Sequence, residues 1–235
     1  CPRFDSLPPS KQIKHCPDCR LFFAICCHLS DSDSDTVISS GKPCHHYRVV
    51  FTDGACPGNG TGAARSGMGI VLGMDEVLQW ALPVDDDVDK FDMSVRMSQR
   101  AELLAALEGV KKMSALEALC YQPPAMRDGW HEERSMDERD RAPKQWIVVS
   151  DSEYVVKDMI EWVPSWKANG WKNARGDTPK NIDLFRRLDD AIKQEQARQA
   201  VEIRFWHVPR EFNALADGLA KRAAEQARPV ALPVS

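Results

Sequence analysis

What most constrains the fold is the order in which two hydrophobic rhythms alternate along the chain. Tyr47-Arg-Val-Val-Phe-Thr52 is β-branched and aromatic and leads into Asp53-Gly54, the composition of a strand ending at a turn. Residues 68–72 and 77–82 read as two more strands, separated by the turn-like Gly73-Met-Asp75. In residues 98–119, Leu103, Leu104, Leu107 and Val110 then fall at helical spacing with few breakers. Trp146-Ile-Val-Val149 is a buried-type strand, and Ser150-Asp151-Ser152 behind it supplies caps for a helix through Ile160. Residues 182–199 form an amphipathic helical pattern, 201–206 alternate as a strand, and 213–228 close as an Ala- and Leu-rich helix. Three strands, helix, strand, helices, strand, helix: this order predicts an α/β domain.

Composition bounds the rest. With 235 residues, 43% hydrophobic and 28% charged, the chain carries enough apolar surface for a packed core. No apolar run approaches the ~18 residues of a membrane helix, and no membrane contact is expected. The run Leu21 to Cys27 follows a polar, Pro- and Cys-containing stretch, so no secretory signal is expected either. A net charge of −4 argues against a generally basic nucleic-acid coat but leaves room for a local basic patch. Three zones separate: a Cys/His-rich extension over 1–46, a domain over 47–228, and a tail over 229–235. Within the domain, residues 121–144 read as a flexible insertion with little periodicity, and Asp31-Ser-Asp-Ser-Asp35 as a solvated loop.

The placement of four acids carries the chemistry. Asp53 ends the first strand of the domain and Asp151 the fourth, while Glu102 and Asp217 lie in the first turns of two helices. If the first and fourth strands are parallel neighbours, Asp53 and Asp151 emerge at one sheet edge, where the two helical acids can join them. Clustered carboxylates repel one another, and divalent metal is the common remedy. Taken singly, each acid is equally at home as a turn former or a helix-dipole partner. Spacing alone leaves that choice open.

The surrounding text extends the pattern. Asp53-Gly-Ala-Cys-Pro-Gly-Asn59-Gly, Gln99-Arg-Ala-Glu102-Leu-Leu-Ala-Ala-Leu, Val149-Ser-Asp151-Ser-Glu-Tyr-Val-Val and Asn213-Ala-Leu-Ala-Asp217-Gly-Leu-Ala together resemble type 1 ribonuclease H. Glu161-Trp-Val-Pro-Ser-Trp166-Lys-Ala-Asn-Gly-Trp171-Lys and Lys180-Asn181-Ile-Asp-Leu-Phe are also typical of that family. The resemblance runs from about Tyr47 to Ala227. It implies a ribonuclease H-like fold, a five-stranded mixed sheet flanked by helices. It implies an endonuclease, acting as a monomer, that cuts the RNA strand of RNA–DNA hybrids with two Mg²⁺ ions, or Mn²⁺ in their place. By that resemblance Asp53 bridges both ions, Glu102 and Asp151 complete one metal site, and Asp217 holds the ion that activates water.

Substrate contacts follow from the same resemblance. Asn59 and Gln99 match residues that read the minor groove, where 2′-hydroxyls distinguish RNA from DNA. Trp166 matches an aromatic of a DNA-strand channel, and Asn181 a residue at a DNA-phosphate pocket. Six basic residues (Lys167, Lys172, Arg175, Lys180, Arg186 and Arg187) interleave here with Trp162, Trp166 and Trp171. A stretch of that kind follows a phosphate backbone while rings pack on bases; the competing reading is core tryptophans beside solvated lysines. One departure stands out. Many relatives carry a histidine on a Gly/His loop before the last helix, whereas this chain has Trp206-His207-Val-Pro-Arg210-Glu211-Phe-Asn213. His207 belongs with the last strand, and Arg210 lies nearer the site, though Arg is a poor proton shuttle. A catalytically weak ribonuclease H-like scaffold or nucleic-acid-binding protein is therefore the alternative function.

Six of the eight cysteines and four of the six histidines lie in residues 1–46. Cysteines bunched in this way suit metal binding in a reducing, intracellular (nuclear or cytoplasmic) compartment better than a disulfide framework. His15-Cys16-Pro-Asp-Cys19 is a C-x₂-C knuckle, followed by Cys26-Cys27-His28 and Cys44-His45-His46. Cys16 and Cys19 need two more ligands for a tetrahedral Zn²⁺ site, and Cys27, His28, Cys44, His45 and His46 are available, Cys27 and Cys44 making one such set; reduced cysteines packed beside Phe22 and Phe23 are the competing reading.

Overall fold

A computed structural model describes residues 6–25, 45–61, 63–85, 89, 96–120 and 144–228. The acidic tract 31–35, the insertion over 121–143, the tail 229–235 and the cysteines Cys27 and Cys44 lie outside the described residues.

The sheet is organised around β3 (Tyr47–Ala55), whose Val49, Val50 and Phe51 are buried. Along one edge β3 pairs in parallel with β6 (Lys144–Ser150), from Tyr47 opposite Gln145 to Phe51 opposite Val149. Along the other it pairs antiparallel with β4 (Ser66–Val71), which pairs antiparallel with β5 (Gln79–Val84). β7 (Val201–His207) runs parallel to β6 over its whole length. The order β5-β4-β3-β6-β7 is the expected five-stranded mixed sheet.

Helices cover both faces. On one lie α2 (Ser98–Cys120) and α5 (Ile182–Gln199), whose Leu103, Leu104, Leu107, Leu184 and Leu188 join Val50, Trp146 and Val148 in the main core. On the other, α6 (Ala214–Gln226) sets Ala216 and Leu219 against Val49, Phe51 and Val149. Two glycines set these distances. A Cβ on Gly69 of β4 would stand 2.0 Å from the Ala216 carbonyl oxygen, so α6 rests its backbone on the strand and its buried positions are largely alanine. A Cβ on Gly54 would stand 2.2 Å from the Glu102 nitrogen, so the first turn of α2 lies directly on β3 beside Asp53. No ordinary side chain fits either gap.

Three readings need adjustment. The first strand does not stop at Asp53: β4 supplies partners through Ala55, and Asp53 sits within the ladder opposite Gly69. The helix read as ending at Ile160 continues. α3 (Glu153–Lys157) passes through a π turn (Asp158–Trp162) into α4 (Val163–Ala168). The wider turn carries the chain past Pro164, which has no N–H to give to the preceding turn. The described part of the extension also shares the domain's sheet. After a one-turn helix α1 (Pro9–Gln12), β1 (Ile13–His15) and β2 (Phe22–Ala24) form a hairpin that brings the sheet to seven strands. The reason is geometric. β4 ends at Val71 opposite Phe51, leaving the first half of β3 with an open edge on that side. β2 takes it through Phe23 opposite Arg48, and the Phe22 N–H donates to the Leu72 carbonyl at 2.9 Å. Phe23 and Leu21 then bury in the main core.

Candidate active site

Because β3 and β6 are parallel neighbours in register, Asp53 and Asp151 stand just past the same end of their shared ladder. Gly54 brings the N-terminal turn of α2, and with it Glu102, onto that end. Asp217 arrives from the first turn of α6. All four carboxylates line one cleft of about 620 Å³, with Cys56, Ser98, Ser152, Arg210, Lys221 and Glu225 around them.

The electrostatics match that crowding. Burial, and then the charges of Asp151, Asp217 and Glu102, push the Asp53 carboxyl up to about 7, with Arg210 opposing. Glu102 is also raised, chiefly by burial, against a hydrogen bond donated by Ser152. Burial would raise Asp217 too, but hydrogen bonds from Lys221 and Arg210 outweigh it and hold the group below its ordinary value. Those two cations engage both oxygens of Asp217, Lys221 at 2.6 Å. Four carboxylates gathered in one cleft, with Asp53 raised by burial and then by its neighbours, make an oxygen donor set short of positive charge. That donor set fits hard divalent cations such as Mg²⁺.

Several residues that position the acids escape a linear reading. Asn213 is 1% exposed and donates from Nδ2 to the Asp151 carboxylate at 2.6 Å and to the Thr52 carbonyl at 3.1 Å. It thereby ties the entry of α6 to both acid-bearing strands. Ser152 caps α3, accepting from the Val155 N–H at 3.3 Å while donating to Glu102. Asn213 opens one of the motifs that carry the resemblance, and Asn213 and Lys221 stand one helical turn before and after Asp217, but neither fact shows which groups they hold.

The residues singled out for substrate sort differently. Arg210 lines the cleft. Gln99 sits partly buried in the first turn of α2. The Asn59 side-chain oxygen accepts from the Ser98 N–H at 3.0 Å, holding the start of that helix. Asn181 has a left-handed backbone (φ 55°) before α5; its amide donates to the Tyr154 hydroxyl at 3.0 Å and accepts from Arg100 at 3.4 Å. Arg100 is buried and bridges Asp89 and Asp183, so Asn181 belongs to a polar joint between α2 and α5.

Trp166 sits as in the competing reading, a tryptophan in the core: it is 8% exposed and packs edge-on against Phe185 at 5.3 Å, whereas Trp162 is 47% exposed. Its ring is core and not an open stacking platform. Of the basic residues nearby, Lys167 pairs with Asp189 at 2.7 Å, Lys172 donates to the Gly176 carbonyl at 3.2 Å, and Arg186 lies over the Trp171 ring. His207 ends β7 and contacts the Asp151 backbone oxygen at 3.3 Å, as its strand position led one to expect. At the other end of β3, Cys16 and Cys19 lie together with His45.

The chain is similar to proteins of known kind. The family model for RNase H matches residues 134–225, which include Asp151 and Asp217. A ribonuclease H of Herminiimonas arsenicoxydans is 34% identical over 178 residues, 75% of this chain and 93% of that protein. A ribonuclease H of Pseudomonas paraeruginosa is 33% identical over 183 residues, 76% of this chain and 93% of that one. Among solved structures, the PFV RNase H domain in solution superimposes with a TM-score of 0.50 at 22% identity, covering 77% of this chain and 96% of that domain.

Proposed function

The chain belongs to the ribonuclease H family, and from that premise we propose that it hydrolyses the RNA strand of RNA–DNA hybrids at the cleft formed by Asp53, Glu102, Asp151 and Asp217. One observation carries the reading: four carboxylates from two parallel strands and two helices converge on a single cleft, where burial and then the other acids raise the Asp53 carboxyl. Asp53, Glu102, Asp151 and Asp217 are the residues that would hold the divalent ions, with Asp53 at the centre of the group. When bound, the ions supply the positive charge that offsets the scissile phosphate and an acidified water as nucleophile.

The chain's own groups do the positioning. Asn213 holds the Asp151 carboxylate in one orientation, and Ser152 holds Glu102, so the ligands are set before substrate arrives. Arg210 and Lys221 have side chains 67% and 57% exposed, and each is long enough to exchange Asp217 for a backbone phosphate at the cleft rim. Asn59, bonded to the Ser98 N–H, and Gln99 in the first turn lie together at the start of α2 and would read an RNA minor groove there. A long guanidinium at Arg210, in place of an imidazole, favours binding the phosphate over relaying its protons.

The test is cleavage of a labelled RNA–DNA hybrid by the full chain, with Mg²⁺ and with chelator, beside single-stranded RNA and duplex DNA. Mg²⁺-dependent cutting confined to the RNA of the hybrid is expected. Hybrid binding without cutting would favour the scaffold alternative.

A further inference from the structure

The Cys/His cluster of the β1–β2 hairpin has no part in the cleft. The turn between the two strands closes where the Arg20 N–H donates to the Cys16 carbonyl at 2.9 Å, with Arg20 at φ 64°. His45, just ahead of β3, brings Nε2 to 3.3 Å from Cys16 Sγ and 3.9 Å from Cys19 Sγ. These three ligand atoms lie within 4.8 Å of one another. With Zn–S near 2.3 Å and Zn–N near 2.0–2.1 Å, a tetrahedral ion separates nitrogen and sulfur ligands by about 3.6 Å. The two observed separations fall on either side of that value.

The site is also held in place. The His45 ring stacks on Phe23, centroids 4.2 Å apart and planes 10° from parallel. Phe23 is fully buried and registered against Arg48 of β3, so the imidazole is fixed against the core. Cys16 is buried while Cys19 is exposed, which leaves one side of the cluster open for an ion to enter. Two thiolates and an imidazole select a soft or borderline ion such as zinc, whereas the acid cleft selects a hard one. The two centres are far apart as well: within β3 alone, the six steps from Tyr47 to Asp53 span roughly 20 Å at ~3.3 Å per residue.

We propose that Cys16, Cys19 and His45 bind one structural Zn²⁺ that fastens the β1–β2 hairpin to the entry of β3. Beyond the Phe22–Leu72 hydrogen bond and the burial of Leu21 and Phe23, such a clamp adds a fixed point to a short hairpin. Its strands are three residues each, and a single ladder pair, Phe23 with Arg48, joins it to β3. An isolated hairpin of that size is marginal in water, and structural zinc contributes binding free energy directly to folding. The clamp draws together residues separated by 26 positions and closes the open edge of the strand that carries Asp53.

The experiment uses the full chain, purified under reductant without added metal, then assayed for zinc by mass spectrometry and titrated with Co²⁺. One zinc per chain and a tetrahedral cobalt spectrum with thiolate charge transfer are expected. Cys19→Ser and His45→Ala should each weaken zinc by at least the roughly 10–100-fold that even outer-shell partners cost. Hydrogen exchange over residues 13–24 should accelerate in both, while β6 and β7 stay protected. Zinc-free wild type with no thiolate band on cobalt addition, or variants that hold zinc as tightly as wild type, would overturn the assignment. The wild-type cobalt spectrum decides the matter even if a variant fails to fold.

Discussion

Asp53→Asn should make the metal-free protein more stable while disabling its chemistry. The Asp53 carboxyl is raised from 3.8 to about 7 by burial and three neighbouring carboxylates. Because its folded value lies above its unfolded one, the native state keeps the proton longer. The stability this confers is complete below about pH 4 and is lost as pH rises to about 7. At 1.36 kcal/mol per pKa unit, charging Asp53 in the native state costs about 4 kcal/mol, an upper figure that relaxation of the cleft will reduce. Asparagine has the shape of the protonated acid and never charges. In chelator, urea unfolding at a series of pH values should show the variant equal to wild type near pH 4 and about 2–4 kcal/mol more stable at pH 8, with unchanged m-values. Saturating Mg²⁺ should reverse the order, since binding to the native state adds stability only where the ligands are intact. A variant less stable than wild type at pH 8, or an advantage independent of pH, would show that the acids do not repel one another as described.

Asn213→Ala removes a charge-assisted hydrogen bond to Asp151 and a neutral one to the Thr52 carbonyl, so a loss of about 2–4 kcal/mol is expected in urea unfolding. Hybrid cleavage should fall with it, even in conditions where the variant is fully folded. Trp166→Ala should cost about 3–5 kcal/mol as a core truncation. Trp162→Ala, at a half-exposed position, should stay within about 0.5 kcal/mol of wild type by the same measurement. Gly69→Ala forces a methyl group into the α6 backbone and should lower the thermal midpoint by more than any surface substitution, as scanning calorimetry would show.

Much of this was legible in the sequence, for identifiable reasons. The succession of strand and helix periods names the five core strands in order, because each is a local pattern. The convergence of Asp53 and Asp151 needs only that their strands be parallel neighbours, which the intervening helix makes natural. What stayed hidden depends on contacts distant in sequence. The hairpin at 13–24 joins the sheet because β4 stops short of β3's first half, and no periodicity within residues 1–46 announces that vacant edge. Trp166 sits among basic residues and so reads as a nucleic-acid contact, whereas its ring packs on Phe185 of a helix that comes later in the chain. Asn213 and Asp151 are 62 residues apart, and only the packed structure shows one orienting the other. His45 likewise joins Cys16 and Cys19 through the way Phe23 docks on β3.

The most direct test of the central claim is the rate at which wild type, Asp53→Asn and Asp151→Asn cut a labelled RNA–DNA hybrid in Mg²⁺. All three proteins should first be shown folded by circular dichroism, and the hybrid held above its binding constant. On the proposed two-ion reading each substitution removes a charged ligand, so both variants should lose activity by orders of magnitude while still binding the hybrid. Wild-type rates in either variant would mean that the clustered carboxylates are not where the phosphodiester is cut.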